Sequence, residues 1–413
     1  MNKKIVLFGA GKIGRSFIGQ IFSNSGYEVV FVDISDEIVN LLNEKGKYKI
    51  EIKDAHPETI WVENVRAVHA NNVEKVSQEI ATADVLATAV GVNNIPSVYS
   101  NIAAGLLKRY KLHRGPIDII ICENLRNSSK FFREGLSKHL PKEYPLDSLV
   151  GLVETSVDTM APEIPSYQRK KDPLLVFRES YGKLIAEKKG FKNEPPKIKG
   201  LELKDNVTSY FDRKFFILNM GHAVIAYLGY LTDPKMKYIW EAINDDNIRA
   251  VLEGAMWESG HALIAEYSKQ FNNENIGRYI NNVIRRLGNQ ALGDTIYRVG
   301  RDVPRKISRN ERLVGALLLD AKHDVNAPYT TLGTAASMFF RGKDDEGKLF
   351  PKDQYFVEQI YPKGIDYILT KICKLDPNKD RLVLNNIKKA YQFLMKNQKN
   401  WAAYLNQYVN LNS

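Results

Sequence analysis

VLFGAGKIGRSFIG (residues 6–19) places Gly9, Gly11 and Gly14 at G-x-G-x-x-G spacing, behind an apolar run and at the opening of a helical pattern. Gly9 permits a tight turn, Gly11 lets backbone approach a pyrophosphate, and Gly14 lets the helix pack closely on its strand. The turn Gly9, Ala10, Gly11, Lys12, Ile13, Gly14 is therefore the expected phosphate cradle, with free N–H groups and a positive helix end behind it. A second apolar run, YEVVFVD (27–33), ends in Asp33. A carboxylate there accepts hydrogen bonds from ribose hydroxyls and repels a 2′-phosphate. No arginine follows in DISDE (33–37), so NAD is expected rather than NADP.

Outward from this turn, KIVLF, YEVVFVD, ADVLATAV (83–90) and PIDIIICEN (116–124) are spaced widely enough for crossover helices. That alternation predicts an α/β fold with a Rossmann-type, doubly wound parallel sheet. TAVG puts Thr88, Val90 and Gly91 just past a strand, where they would border the cofactor, although an ordinary loop turn reads the same way. Asn124 ends its apolar run at the carboxyl edge of a strand, where such sheets bind ligands; a strand-to-helix cap is the alternative. LLVFRES and KLIAEK add strands, and the Pro- and Lys-rich NEPPKIKG (193–200) reads as a hinge. Beyond it, long helical periods predict a mostly α-helical second domain. The expected domains are 1–198 and 199–413. The segment from Asp376 to Ser413 reads as further amphipathic helix packed on the second.

A chain of 413 residues exceeds the roughly 250–300 of a single core, which agrees with two domains. Two cysteines, Cys122 and Cys373, build neither a disulfide framework nor a thiolate metal cluster. The apolar runs fall short of the roughly 20 residues of a membrane helix. The expectation is a cytoplasmic protein that engages neither membrane nor nucleic acid, as a monomer or weak dimer. The net charge of +11 is compatible with anionic small molecules or with general lysine richness.

Oxidising an alcohol needs a base for its proton and donors for the alkoxide. No ligand set for catalytic zinc is apparent, so no metal is expected. Tyr167/Lys171 and Tyr367/Lys371 have the four-residue spacing of a Tyr–Lys pair, but 21 tyrosines in a lysine-rich chain produce such pairs by chance. KFFILNMGH (214–222) offers a third solution. On a regular helix Lys214, His222 and Asn219 project at about 0°, 80° and 140° within about 12 Å of axis. Gly221 flanks that side without bulk, so a ligand could approach there. Burial would depress the lysine pKa and make it a base. Asn219 could donate to the alkoxide, and His222 could position a hydroxyl. A core helix with a snorkelling lysine has the same pattern.

KFFILNMGH fits Lys-x4-Asn-x2-His, and together with FGAGKIGRSFIG, TAVG, IICEN, NMGHAVIAYLG and RVGRDVPRKISRNERL, in that order, the chain resembles the polyol-specific long-chain dehydrogenases. The resemblance runs from residue 1 to about 390. It implies Lys214 as general base, Asn219 and Asn124 as the oxyanion hole, and His222 against the substrate. It also implies a metal-free, NAD-dependent reaction in a cleft between the domains. In RVGRDVPRKISRNERL (298–313), arginines suit a phosphate dianion. Arg305 matches a pocket arginine of the family and Lys306 is second choice, while Arg309 and Arg312 read as a solvated basic face. The expected reaction is D-mannitol 1-phosphate to D-fructose 6-phosphate. The alternatives are an unphosphorylated polyol or a sugar acid (tagaturonate or fructuronate), or a catalytically silent NAD-binding sensor. Asp158, a substrate candidate, is followed by Thr159 where the family carries arginine, which bears on specificity.

Overall fold

The computed structural model describes residues 3–408. They form two compact units that divide between Phe211 and Asp212.

The first unit is built on a sheet in the order β11-β10-β8-β7-β6-β1-β2-β5. Its strands are β1 (Lys4–Phe8), β2 (Glu28–Asp33), β5 (Val65–His69), β6 (Val85–Thr88), β7 (Ile117–Ile121), β8 (Val150–Asp158), β10 (Lys183–Glu187) and β11 (Leu201–Lys204). From β5 to β8 all neighbours run parallel. β10 joins β8 antiparallel, and β11 joins β10 parallel. Because β11 belongs to this sheet, the unit extends beyond Gly200, past the expected hinge. In β1, Ile5 and Leu7 enter one core while Val6 and Phe8 enter the other. A strand covered on both faces has no polar side, which is why these segments read as unbroken apolar runs. A smaller sheet orders β4 (Glu58–Glu63), β3 (Lys47–Ile52) and β9 (Val176–Arg178). LLVFRES therefore supplies a strand of this second sheet rather than of the main one.

The chain order doubles back at β1, with β2 on one side and β6 on the other, so the loops after β1 and β6 leave the carboxyl edge as neighbours. Open α/β sheets bind their ligands at this kind of switch point.

The second unit is helical. Met220–Thr232 is buried on nearly all sides, packed by Ile239–Ile243, Asp246–Glu266, Ile296–Gly300 and Pro328–Ser337. Together with the preceding turns it makes a continuous helix, Val207–Thr232. That helix is long and apolar enough to span a bilayer, contrary to the run-length expectation, but most of its apolar stretch is buried inside the protein. An all-round apolar helix of this kind is a core element. The expected C-terminal helix is Arg381–Asn397, followed by Ala403–Tyr408; the last residues of the predicted segment lie outside those described.

Candidate functional site

In the first unit the glycine turn is shaped by close backbone contacts. Gly9 has φ +98°, and a Cβ there would fall 2.5 Å from the Ala89 carbonyl oxygen. A Cβ on Gly14 would fall 2.0 Å from the oxygen of Gly9. A Cβ on Gly11 would meet no atom within 4 Å, so the backbone there borders open space. The outer strand neighbours tie the turn in place: Gly9 N–H donates to Val32 and Ala89 N–H to Phe8.

Asp33 stands across from this turn. Its carboxylate accepts the Ala10 N–H at 2.7 Å and the Ser35 N–H at 3.0 Å, one on each oxygen. Each oxygen retains lone-pair capacity for a ribose hydroxyl. Ile34, 77% exposed, puts an apolar surface beside the carboxylate. The residues present therefore fit a dinucleotide: open backbone at Gly11, an acid at the end of β2, and an apolar face next to it. Lys12 approaches Glu163 at 3.6 Å, and Ile13 packs against the core.

The TAVG loop is held by a residue that sequence reasoning passed over. Glu123 is buried and accepts the N–H groups of Val90 (2.8 Å) and Gly91 (2.9 Å). Burial pushes its pKa up, against those two donors. It lies within the IICEN segment, but spacing alone gives an acid there no partner. The neighbouring Asn124 is exposed, just beyond the carboxyl end of β7. Asp158 ends β8 and is buried, opposite Lys183 in the strand register. Thr159 donates its hydroxyl to the Tyr181 carbonyl at 2.8 Å.

In the second unit Lys214–Asn219 is a π-helical turn, with Met220 N–H donating to the Phe215 carbonyl. An i→i+5 turn, with about 4.4 residues per turn, advances about 82° per residue instead of 100°. Counting on that basis moves Asn219 from about 140° to about 50° from Lys214, and His222 to within about 10° of it. The three groups thus share a narrower face than a regular helix allows. KFFILN contains no glycine or proline to announce the irregularity. Gly221 serves another purpose than expected: a Cβ there would sit 2.3 Å from Met256 Cε, so this glycine admits the neighbouring helix Asp246–Glu266 and not a ligand.

His222 has its side chain 14% exposed, with Nε2 3.4 Å from Asp294 Oδ2. Burial lowers its pKa, Asp294 opposes the change, and Arg298 and Lys306 reinforce it. The Asp294 carboxyl is itself brought down to about 2: burial would raise it, but contact with His222 and the charge of Arg298 prevail.

The basic segment folds onto the same unit. Tyr227, on the central helix, donates its hydroxyl to the Gly300 carbonyl at 2.9 Å. Asp353 caps the short helix Val303–Lys306 by accepting the Asp302 and Val303 N–H groups. Arg305 is exposed and pairs with Asp302 and Glu311. Lys306, expected beside it on a phosphate, is buried and donates its ammonium to the carbonyls of Val299 and Arg301. One helical step turns it inward, and its charge is spent on backbone. Arg309 pairs with Asp380. Arg312 is not solvated: its guanidinium lies 5.5 Å from the Phe215 ring centre, next to Lys214 in sequence, and pairs with Glu311. Among the described residues, no group of three or more His, Cys, Asp or Glu side chains could hold a metal ion.

Comparison with known proteins agrees with this architecture. Residues 3–200 match the mannitol dehydrogenase Rossmann domain, and residues 206–399 match the mannitol dehydrogenase C-terminal domain. The chain is 38% identical over 343 residues to a mannitol-1-phosphate 5-dehydrogenase of Brevibacillus brevis, covering 82% of this chain and 86% of the relative. It is 34% identical over 393 residues to the enzyme of the same name from Geobacillus stearothermophilus, covering 94% and 99%. Among solved structures, Pseudomonas fluorescens mannitol 2-dehydrogenase, in ternary complex with NAD and D-mannitol, superposes with a TM-score of 0.77 at 16% identity, covering 99% of this chain and 95% of that one. At that identity the likeness concerns the fold. Two domain matches that together span most of the chain, in the order of its two structural units, establish that it belongs to the mannitol dehydrogenase family.

Proposed function

We propose that this chain catalyses the reversible, NAD-dependent oxidation of D-mannitol 1-phosphate to D-fructose 6-phosphate in the cytoplasm, without a metal and as a monomer or weak dimer. The observation that supports the chemistry is the π turn Lys214–Asn219, on whose residue step Lys214, Asn219 and His222 count onto one face. The choice of substrate is supported by the two relatives that share more than a third of their aligned residues with the chain.

Bound NAD supplies the hydride acceptor. The Gly9–Gly14 turn receives the pyrophosphate, Asp33 the adenosine ribose, and Thr88, Val90 and Gly91 border the cofactor. Lys214, as the free amine, takes the proton of the secondary hydroxyl. Asn219 and Asn124 donate to the oxygen as it gains charge. His222 holds an adjacent hydroxyl, Asp158 contacts the polyol chain, and Arg305 reads the phosphate. Lys306 supports Arg305 indirectly by fixing the carbonyls of Val299 and Arg301.

A second reading, an unphosphorylated polyol or a sugar acid, draws on the withdrawal of Lys306 and on Thr159 in place of the family's arginine. The test is a reduction assay with NADH on fructose 6-phosphate, fructose, tagaturonate and fructuronate. Fructose 6-phosphate should have the highest kcat/KM; a preference for one of the others would install the second reading. Sedimentation velocity on the purified chain checks the assembly state, and a stable higher oligomer would refute it.

A further inference from the structure

We propose that Asp294 is a positioning residue that holds His222 as its Nε2–H tautomer, so that the imidazole offers Nδ1 to a substrate hydroxyl as a hydrogen-bond acceptor.

A neutral imidazole carries its proton on one nitrogen, and whatever the other nitrogen faces selects which. Here Nε2 faces a carboxylate oxygen at 3.4 Å and has no other hydrogen-bond partner among the described residues. At that length the contact is polar rather than a formed hydrogen bond, and a shift of a few tenths of an ångström would close it. A carboxylate only accepts, so the proton belongs on Nε2. Arg298 pairs with the second oxygen, Oδ1, and keeps Asp294 ionised. The resulting line, Arg298 to Asp294 to His222, is buried at its centre, with Asp294 7% exposed.

The backbone makes this placement rigid. The Asp294 carbonyl accepts the Ile239 N–H at 2.9 Å, and the next residue, Thr295, bridges to Tyr238 and caps the helix Ile296–Gly300. Arg298 sits on that helix, one turn after Asp294. The acid is thus fixed by its own loop, independently of the helix that carries His222. Burial and the cations Arg298 and Lys306 keep the ring neutral, the state in which tautomer choice matters. A neutral ring with Nε2–H suits a hydroxyl that must donate toward the protein while its neighbour is oxidised.

The substrate contact of His222 rests on the function proposed above; the tautomer does not. The first measurement is therefore long-range ¹H–¹⁵N correlation of the histidine rings in the full-length ¹⁵N-labelled protein at neutral pH, with His222 assigned by His222→Gln. The expected signature is a protonated Nε2 and a bare Nδ1. A proton on Nδ1 in the wild type overturns the proposal with no further variant needed. Asp294→Asn, which is isosteric and still offers Arg298 an oxygen, should give a mixed or inverted tautomer. It should also lower kcat on the preferred sugar by about 10- to 100-fold, the cost of an unpaired polar group in a buried site, while the KM for NADH stays put. An unchanged His222 signature in Asp294→Asn also refutes the positioning role. If no sugar is reduced but the tautomer responds as expected, the proposed function fails and the positioning role stands.

Discussion

The Ala10 amide donates to the Asp33 carboxylate at 2.7 Å, so the acid that would select the cofactor also ties down the phosphate turn. Asp33→Asn keeps an acceptor for that amide and removes the charge, whereas Asp33→Ala removes both. Both variants should narrow the preference for NAD over NADP by relieving repulsion of a 2′-phosphate. Only Asp33→Ala should also raise the KM for NAD markedly, because the turn loses its anchor. Steady-state kinetics with both cofactors provide the check; equal wild-type efficiency with NAD and NADP would contradict the assignment.

Lys214→Ala should lower kcat by about 10²–10⁴-fold, the usual cost of removing a general base. NADH binding, followed by fluorescence titration, should remain near wild type, since the cradle is in the other unit. A variant that keeps most of its turnover would move the base elsewhere.

Arg305 and Lys306 are adjacent but should behave differently. Arg305→Ala is expected to reduce kcat/KM for fructose 6-phosphate by roughly 10- to 150-fold, equivalent to a charge-assisted hydrogen bond of about 1.5–3 kcal/mol. Fructose reduction should change much less. Lys306→Met should instead lower the unfolding midpoint, because two carbonyls lose their donor. The ratio of efficiencies on the two sugars, measured for each variant, separates the roles; an equal loss on both sugars in Arg305→Ala would show that it does not read phosphate.

Glu258 is buried at the start of the helix Pro328–Ser337, accepting the N–H groups of Tyr329 and Thr330 and the Thr330 hydroxyl. Burial nevertheless raises its pKa from 4.5 to about 8, against those hydrogen bonds. A folded-state pKa above the unfolded one means that the neutral form favours folding. That contribution is complete below about pH 4.5 and is lost as pH rises through about 8, at about 1.4 kcal/mol per unit between those limits. Denaturant midpoints at pH 5, 6.5 and 8 should therefore fall more steeply for wild type than for Glu258→Gln. Parallel curves would count against an uncharged Glu258.

The features legible in the sequence are those with a local cause. Gly9 is required by its own positive φ and Gly14 by the Gly9 carbonyl of the same turn, and β1, β2, β6 and β7 are mostly apolar because both faces are covered. The hairpin of β3 and β4 was legible in principle: Tyr48, Ile50 and Ile52 alternate with polar neighbours and point inward. What spacing could not reveal depends on distant partners. Nothing near Lys306 indicates that Val299 and Arg301 will take its charge, nothing near His222 points to Asp294, and Glu123 acquires meaning only when β6 and β7 lie side by side. The π turn is hidden for a different reason, since propensities for KFFILN are the same whether the backbone closes four or five residues back.

That turn contains one residue more than a regular helix needs to reach from Phe215 to Met220. Deleting a single apolar residue inside it would let every backbone bond close in ordinary register, and the helix itself would gain by it. By the same counting, four residues at the ordinary step of about 100° would leave Asn219 about 40° from Lys214, close to the about 50° of the π turn, so the shortened helix would keep the constellation. Closing the turn in ordinary register at its full length would instead send Asn219 back to about 140°. The extra residue and the wider closure therefore offset each other: Phe216 or Ile217 can be exchanged for other apolar side chains of similar volume, whereas ironing out the turn without shortening it would dismantle the shared face.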